Sequence, residues 1–130
     1  MTDANLPPRV QRFLLAHIDS VEKLEVLLLL RGHSSRTWTG AAVAQELRIA
    51  EESARGRLED LCSRGLLTCE AGDAFRYAPV SGNDAQAVDE LASTYAQRRV
   101  SVISFIFSQP MDRIRSFADA FRIKRGPTDG

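Results

Sequence analysis

The hydrophobic period of this chain changes at Gly65, and that change narrows the folds open to it more than any other feature. Before Gly65 the apolar residues recur at helical spacing; after it they fall in short β-prone runs. Ala41, Val43, Ala44 and Leu47 follow Thr39, a residue type that caps helices, and predict a helix over 40–47. A short turn, Arg48-Ile49-Ala50, leads into a second helix over 51–64 that places Ala54, Leu58 and Leu61 on one face and Glu51 and Glu52 in its first turn. Gly65 suits the position just past a helix C-terminus. Leu66 to Glu70 and Ala74 to Tyr77 then flank Ala71-Gly72-Asp73, whose Gly-Asp pair suits a tight hairpin. Thr37-Trp38-Thr39 supplies a candidate third strand beside it. Leu47, Leu58, Leu61 and Leu66 are the expected core of this unit, since both helices and the hairpin converge on them.

Helix, turn, helix and hairpin in this order resemble a winged helix-turn-helix. Ala44 fits the small residue usual in the middle of the first helix, Ala54 the inward aliphatic position ten residues on, and Leu58 follows. Leu61-Cys62-Ser63-Arg64-Gly65-Leu66-Leu67 resembles the junction between recognition helix and wing in many bacterial regulators. Arg48 departs from the pattern, because that place commonly holds Gly, which tolerates positive φ best. With helices on both sides of the unit, the layout is similar to small dimeric bacterial regulators of the MarR or PadR kind. The expected fold class is mainly α with a small β-wing. N-terminal helices over 7–36, the winged helix-turn-helix over 37–80 and C-terminal helices over 83–125 would make a single domain. The resemblance implies a homodimeric DNA-binding transcriptional regulator; the alternative is a winged-helix adaptor that docks another protein and binds no DNA.

Charge bears directly on that choice. The 130 residues carry 17 Lys and Arg against 17 Asp and Glu, a formal net charge of zero. Neutrality weighs against a chain that coats nucleic acid, because phosphate neutralisation supplies most non-specific affinity. The balance hides an asymmetry: from Arg98 to Arg125 the chain has Arg98, Arg99, Arg113, Arg115, Arg122, Lys124 and Arg125 against Asp112 and Asp119. With 44% hydrophobic and 26% charged residues, neither disorder nor a fibrous repeat is favoured. Met1 to Arg9 has no apolar core, and the dense run Val26 to Leu30 is far below membrane-spanning length. The expectation is a cytoplasmic protein with no membrane partner.

In the flanks, Pro7-Pro8 opens a first helix carrying Val10, Phe13, Leu14 and Ile18. Asp19 and Glu22 have the form of a capping box for a second helix through Arg31, whose Val21, Leu24, Val26 and Leu27 to Leu30 predict burial on more than one side. Asn83 or Asp84 is the candidate cap of a long helix reaching about Ser108, because Gln97, Ser101, Ser104 and Ser108 line one helical face of an otherwise β-prone stretch. Pro110 ends it, and a last helix presents Ile114, Phe117, Ala118 and Phe121 on one side. Leu91, Tyr95, Val102, Ile103 and Ile106 are the candidate dimer seam, since this region offers more apolar surface than one face against the small winged unit hides; the alternative is self-contained packing against the helix of Val21 to Leu30.

For DNA binding, the second helix of the unit would enter the major groove. The face opposite Ala54, Leu58 and Leu61 holds Glu52, Gly56, Glu59 and Ser63, with Arg55 flanking it and Arg57 nearer the core edge. Glu52, Arg55, Gly56, Arg57, Glu59, Arg64 and Arg76 are therefore the candidate DNA-binding residues. Gly56, exposed in mid-helix at a cost of about 1 kcal/mol against alanine, points either to a close backbone approach or to neutral drift on a stable scaffold. Arg76 on the wing, with Asp73, could reach a minor groove or phosphate; the commoner expectation is a surface pair with Asp73 across the hairpin. The two histidines, His17 at a core edge and His33 in a polar loop, form no catalytic or ligating cluster with other residues, so no enzyme, cofactor or metal is expected. Cys62 and Cys69 are expected to be partly buried structural thiols, with oxidant sensing as the sharper alternative.

Overall fold

The computed structural model of the chain describes residues 6–109. They form a mainly helical fold with a small three-stranded antiparallel sheet and one contiguous hydrophobic core. α1 (Pro8–His17) starts on proline, whose missing N–H is no loss in a first turn, and buries Val10, Phe13 and Leu14. α2 (Val21–Gly32) is capped by Ser20, whose Oγ accepts from the Lys23 N–H at 3.1 Å. The expected Asp19 to Glu22 capping box is thus corrected: Asp19 lies 3.1 Å from the Lys23 ammonium instead, and Glu22 turns to another helix. Lys23, Leu24, Val26, Leu27 and Leu30 are all buried, so α2 is covered on more than one side, as its wide apolar stripe requires.

β1 (Trp38–Thr39) leads directly into α3 (Gly40–Leu47), with Thr39 Oγ1 accepting from the Ala42 N–H at 3.1 Å. α4 (Glu51–Ser63) packs on both α3 and α2. β2 (Leu67–Glu70) and β3 (Ala74–Tyr77) form the hairpin, and β1 joins on the far side of β3, giving the order β1-β3-β2. The register pairs Trp38 and Cys69 with Phe75 from its two sides. Phe75, Trp38 and Leu67 are buried, which seats one sheet face on the helices. Leu58, Leu61 and Leu66 are fully buried, but Leu47 is only half-buried, because it ends α3 where the chain leaves for the turn.

The C-terminal region departs furthest from the sequence expectation. α5 (Gly82–Gln97) is capped by Ser81, whose Oγ accepts from the N–H groups of Asn83 and Asp84; those two residues are donors to the cap and not the cap itself. Nor does the helix run on to Ser108. It stops at Arg98 (φ −132°, ψ 53°), and a separate helix, α6, spans 99–109. An unbroken helix from 84 to 108 would be about 37 Å long at 1.5 Å per residue, too long to keep both ends on so small a core. The break folds α6 back, burying Val102, Phe105 and Ile106, and brings Gln109 Nε2 to the Leu14 carbonyl at 3.3 Å. The expected last helix after Pro110 lies outside the described residues.

Candidate functional site

The turn between α3 and α4 sets the orientation of every side chain on the candidate face. Arg48 adopts the left-handed conformation (φ 60°, ψ 49°), and the Ile49 N–H donates to the Ala44 carbonyl at 3.0 Å, so arginine performs here the turn that glycine performs most readily. Ala50 then enters α4 with no side-chain cap, and Glu51 and Glu52 face the positive end of the helix dipole in its first turn. Ala54, Leu58 and Leu61 point into the core, leaving Glu52, Gly56, Glu59 and Ser63 exposed on the opposite side. A side-chain carbon added at Gly56 would meet nothing within 4 Å, so no described part of the chain requires glycine there.

All four arginines proposed as groove contacts are held by carboxylates. Arg55 pairs with Asp73, itself in a left-handed conformation at the hairpin tip (φ 64°), and with Glu51 at 3.3 Å. Arg57 Nε donates to Glu22 on α2 at 2.8 Å, and Ser53 Oγ donates to the same carboxylate. Arg64 donates through Nε to Asp60 at 2.8 Å and through Nη1 to the Ala16 carbonyl at 2.8 Å. Arg76 lies 2.6 Å from Glu70 on the neighbouring strand, which corrects the expected pairing with Asp73. The buried Lys23 ammonium completes a cluster, 2.5 Å from Asp60.

Hydrogen bonds from Ser53 and then Arg57 outweigh burial and hold the Glu22 carboxyl below its ordinary value. Burial acts most strongly on Asp60 and opposes its ionisation, yet the hydrogen bonds from Lys23 and Arg64 prevail and lower it too. Both carboxylates therefore stay ionised at neutral pH. By contrast Glu46, Glu52 and Glu59 are exposed and make no ion pair among the described residues, and neither does Arg48. Over 39–77 the sequence has five arginines against seven carboxylates and no lysine.

The candidate dimer residues separate into two groups. Leu91, Val102 and Ile106 are buried within the chain, which uses them for its own core. Tyr95 and Ile103 are half-buried, with the Tyr95 hydroxyl donating to Glu25 at 3.3 Å. Val100 and Phe107 are 75% and 68% exposed, and with Ile103 they form a stripe at steps of three and four on α6. Sequence reasoning passed over the residues that capture the cations. Asp60 stands four before Arg64 and Glu51 four before Arg55, a spacing that favours pairing on a helix and was open to inspection. Glu22 comes from a distant helix and carried no such signal.

Between α1 and α5 lies a polar cleft of about 210 Å³ bordered by Arg9, Arg12, His17, Asn83 and Asp84, which the sequence did not single out. Cys62 is half-buried, as expected, and Cys69 is exposed, so the second thiol is not the partly buried one expected. No helix among the described residues is long and apolar enough to cross a membrane. Compared with protein-family models, with curated proteins and with solved structures, the chain has no match.

Proposed function

We propose that residues 38–77 form a winged helix-turn-helix that docks a protein with a basic surface, and that the chain works in this role as a homodimer. The observation that carries the reading is the capture of Arg55, Arg57, Arg64 and Arg76 by carboxylates while Glu52 and Glu59 stand free on the outer face of α4. A duplex presents one negative charge per about 1.7 Å of axis, and binding it depends on cations released from other partners. Each surface ion pair is worth only about 0 to 1 kcal/mol, so one could open, but four must open at once beside unscreened carboxylates. A basic protein surface meets no such obstacle. It gains from Glu52 and Glu59, and the bare backbone at Gly56 permits close approach.

The second reading, a transcriptional regulator that binds DNA through α4, is favoured by the left-handed turn at Arg48, which leaves that guanidinium beside the start of α4 without an ion pair among the described residues. One titration separates the two. Wild type and the Glu52→Gln/Glu59→Gln variant are titrated against mixed genomic fragments at low and moderate salt. The docking reading expects no saturable binding by wild type at either salt. Saturable binding by wild type, lost in Arg48→Ala and with each lost arginine flattening the log-log salt slope by about one unit, overturns it. In cells, a photocrosslinker at position 56 should give an adduct destroyed by protease and untouched by nuclease, and absent when Glu52 and Glu59 are both lysine.

A further inference from the structure

The end of α4 and the start of the hairpin are joined by a tight turn. Gly65 takes φ 80°, the Gly65 N–H donates to the Cys62 carbonyl at 3.0 Å, and the Leu66 N–H donates to the Leu61 carbonyl at 3.1 Å. This turn lays β2 back along the last turns of α4, against which it packs. Alternate residues of a strand share a face, so Cys69 lies on the same side as Leu67, which is buried, and across from buried Phe75. That face looks onto the helix. Cys69 sits at its rim, exposed to solvent, and Cys62 is half-buried near the end of the helix against which this strand packs.

We propose that Cys62 and Cys69 are an oxidant-responsive thiol pair that closes to an internal disulfide between α4 and β2, with a hydroperoxide as the oxidant. The exposed Cys69 meets the hydroperoxide. Its thiolate attacks the outer oxygen, the O–O bond breaks, an alcohol leaves, and Cys69 becomes a sulfenic acid. The Cys62 sulfur then attacks the Cys69 sulfur, the S–O bond breaks, and hydroxide leaves with the thiol proton as water. Two thiols lose two electrons, and the hydroperoxide is reduced to alcohol and water. Burial, reinforced by the neighbouring Cys69, pushes the Cys62 thiol up, which disfavours its thiolate and so its own direct attack on the hydroperoxide. The closed disulfide would fix the hairpin on α4 and so make the unit's shape depend on redox state, whatever the unit docks.

The test uses the reduced full-length chain, treated with hydrogen peroxide and followed by intact mass, thiol count and non-reducing peptide mapping. Both thiols should disappear together, the mass should fall by two hydrogens, a 62–69 linked peptide should appear, and dithiothreitol should restore the starting mass. In Cys62→Ala, a sulfenic acid at position 69 trapped by dimedone should rise severalfold over wild type. In Cys69→Ser, Cys62 should stay unmodified over the same time. Disulfides between chains in place of the internal one, or as much trapped sulfenic acid in wild type as in Cys62→Ala, would overturn the proposal. The wild-type mass and peptide map decide it even where a variant folds poorly.

Discussion

Burial pushes the His17 imidazole below its ordinary value of 6.5, with Asp84 opposing and Arg64 and Lys23 assisting. A group whose folded value is lowered binds protons more readily in the unfolded chain, so its stability contribution is complete above pH 6.5 and shrinks as pH falls through the folded value. His17→Gln should therefore flatten the loss of stability below pH 6.5 in denaturant titrations, and an unchanged slope there would remove His17 as its source. Leu58 presents a different kind of sensitivity, since it is fully buried where α4 meets the core. Leu58→Ala should cost about 2 to 5 kcal/mol in urea unfolding, whereas an effect below about 1 kcal/mol, the range of an exposed site, would put α4 the wrong way round.

α4 stands out among the helices because its outer side is held open by a glycine. With no atom within 4 Å of an added side-chain carbon at position 56, Gly56→Ala should raise stability by about 1 kcal/mol, the helix propensity difference alone. A loss of stability would mean that the backbone there is crowded. The elements of this central unit were readable in the sequence because each is specified locally. Thr39 caps α3, Gly65 and Gly72 take positive φ, and the 3.6-residue period gives way to short runs at one point. Even Arg48 took the conformation that the turn demands despite being the wrong residue type for it. The break between α5 and α6 was unreadable for the opposite reason. Gln97-Arg98-Arg99 holds neither glycine nor proline, and the helix stops there because Val102, Phe105 and Ile106 gain burial by folding back. The acceptor for Gln109, the Leu14 carbonyl, is 95 residues away in sequence, beyond the reach of any local pattern.

At the level of the whole molecule, the same long-range packing decides which surfaces remain for partners. Glu22 and Lys23 of α2 tie down Arg57 and Asp60 of α4, so the candidate site's charge was set by a helix that sequence periodicity marked only as core. Leu91, Val102 and Ile106 are spent inside the chain, which moves the expected seam between subunits onto the outer side of α6. Val100, Ile103 and Phe107 line that side, two of them largely exposed. This apolar stripe is the surface that the proposed homodimer would cover. A second copy of α6 crossing the first offers a self-complementary cover, as a two-fold interface requires. Light scattering of the purified chain at tens of micromolar should therefore give a dimer mass. Phe107→Asp places an unpaired charge in the seam without touching the folded core, so it should yield monomer while leaving helical circular dichroism unchanged. A monomer mass for the wild type at that concentration would remove the seam.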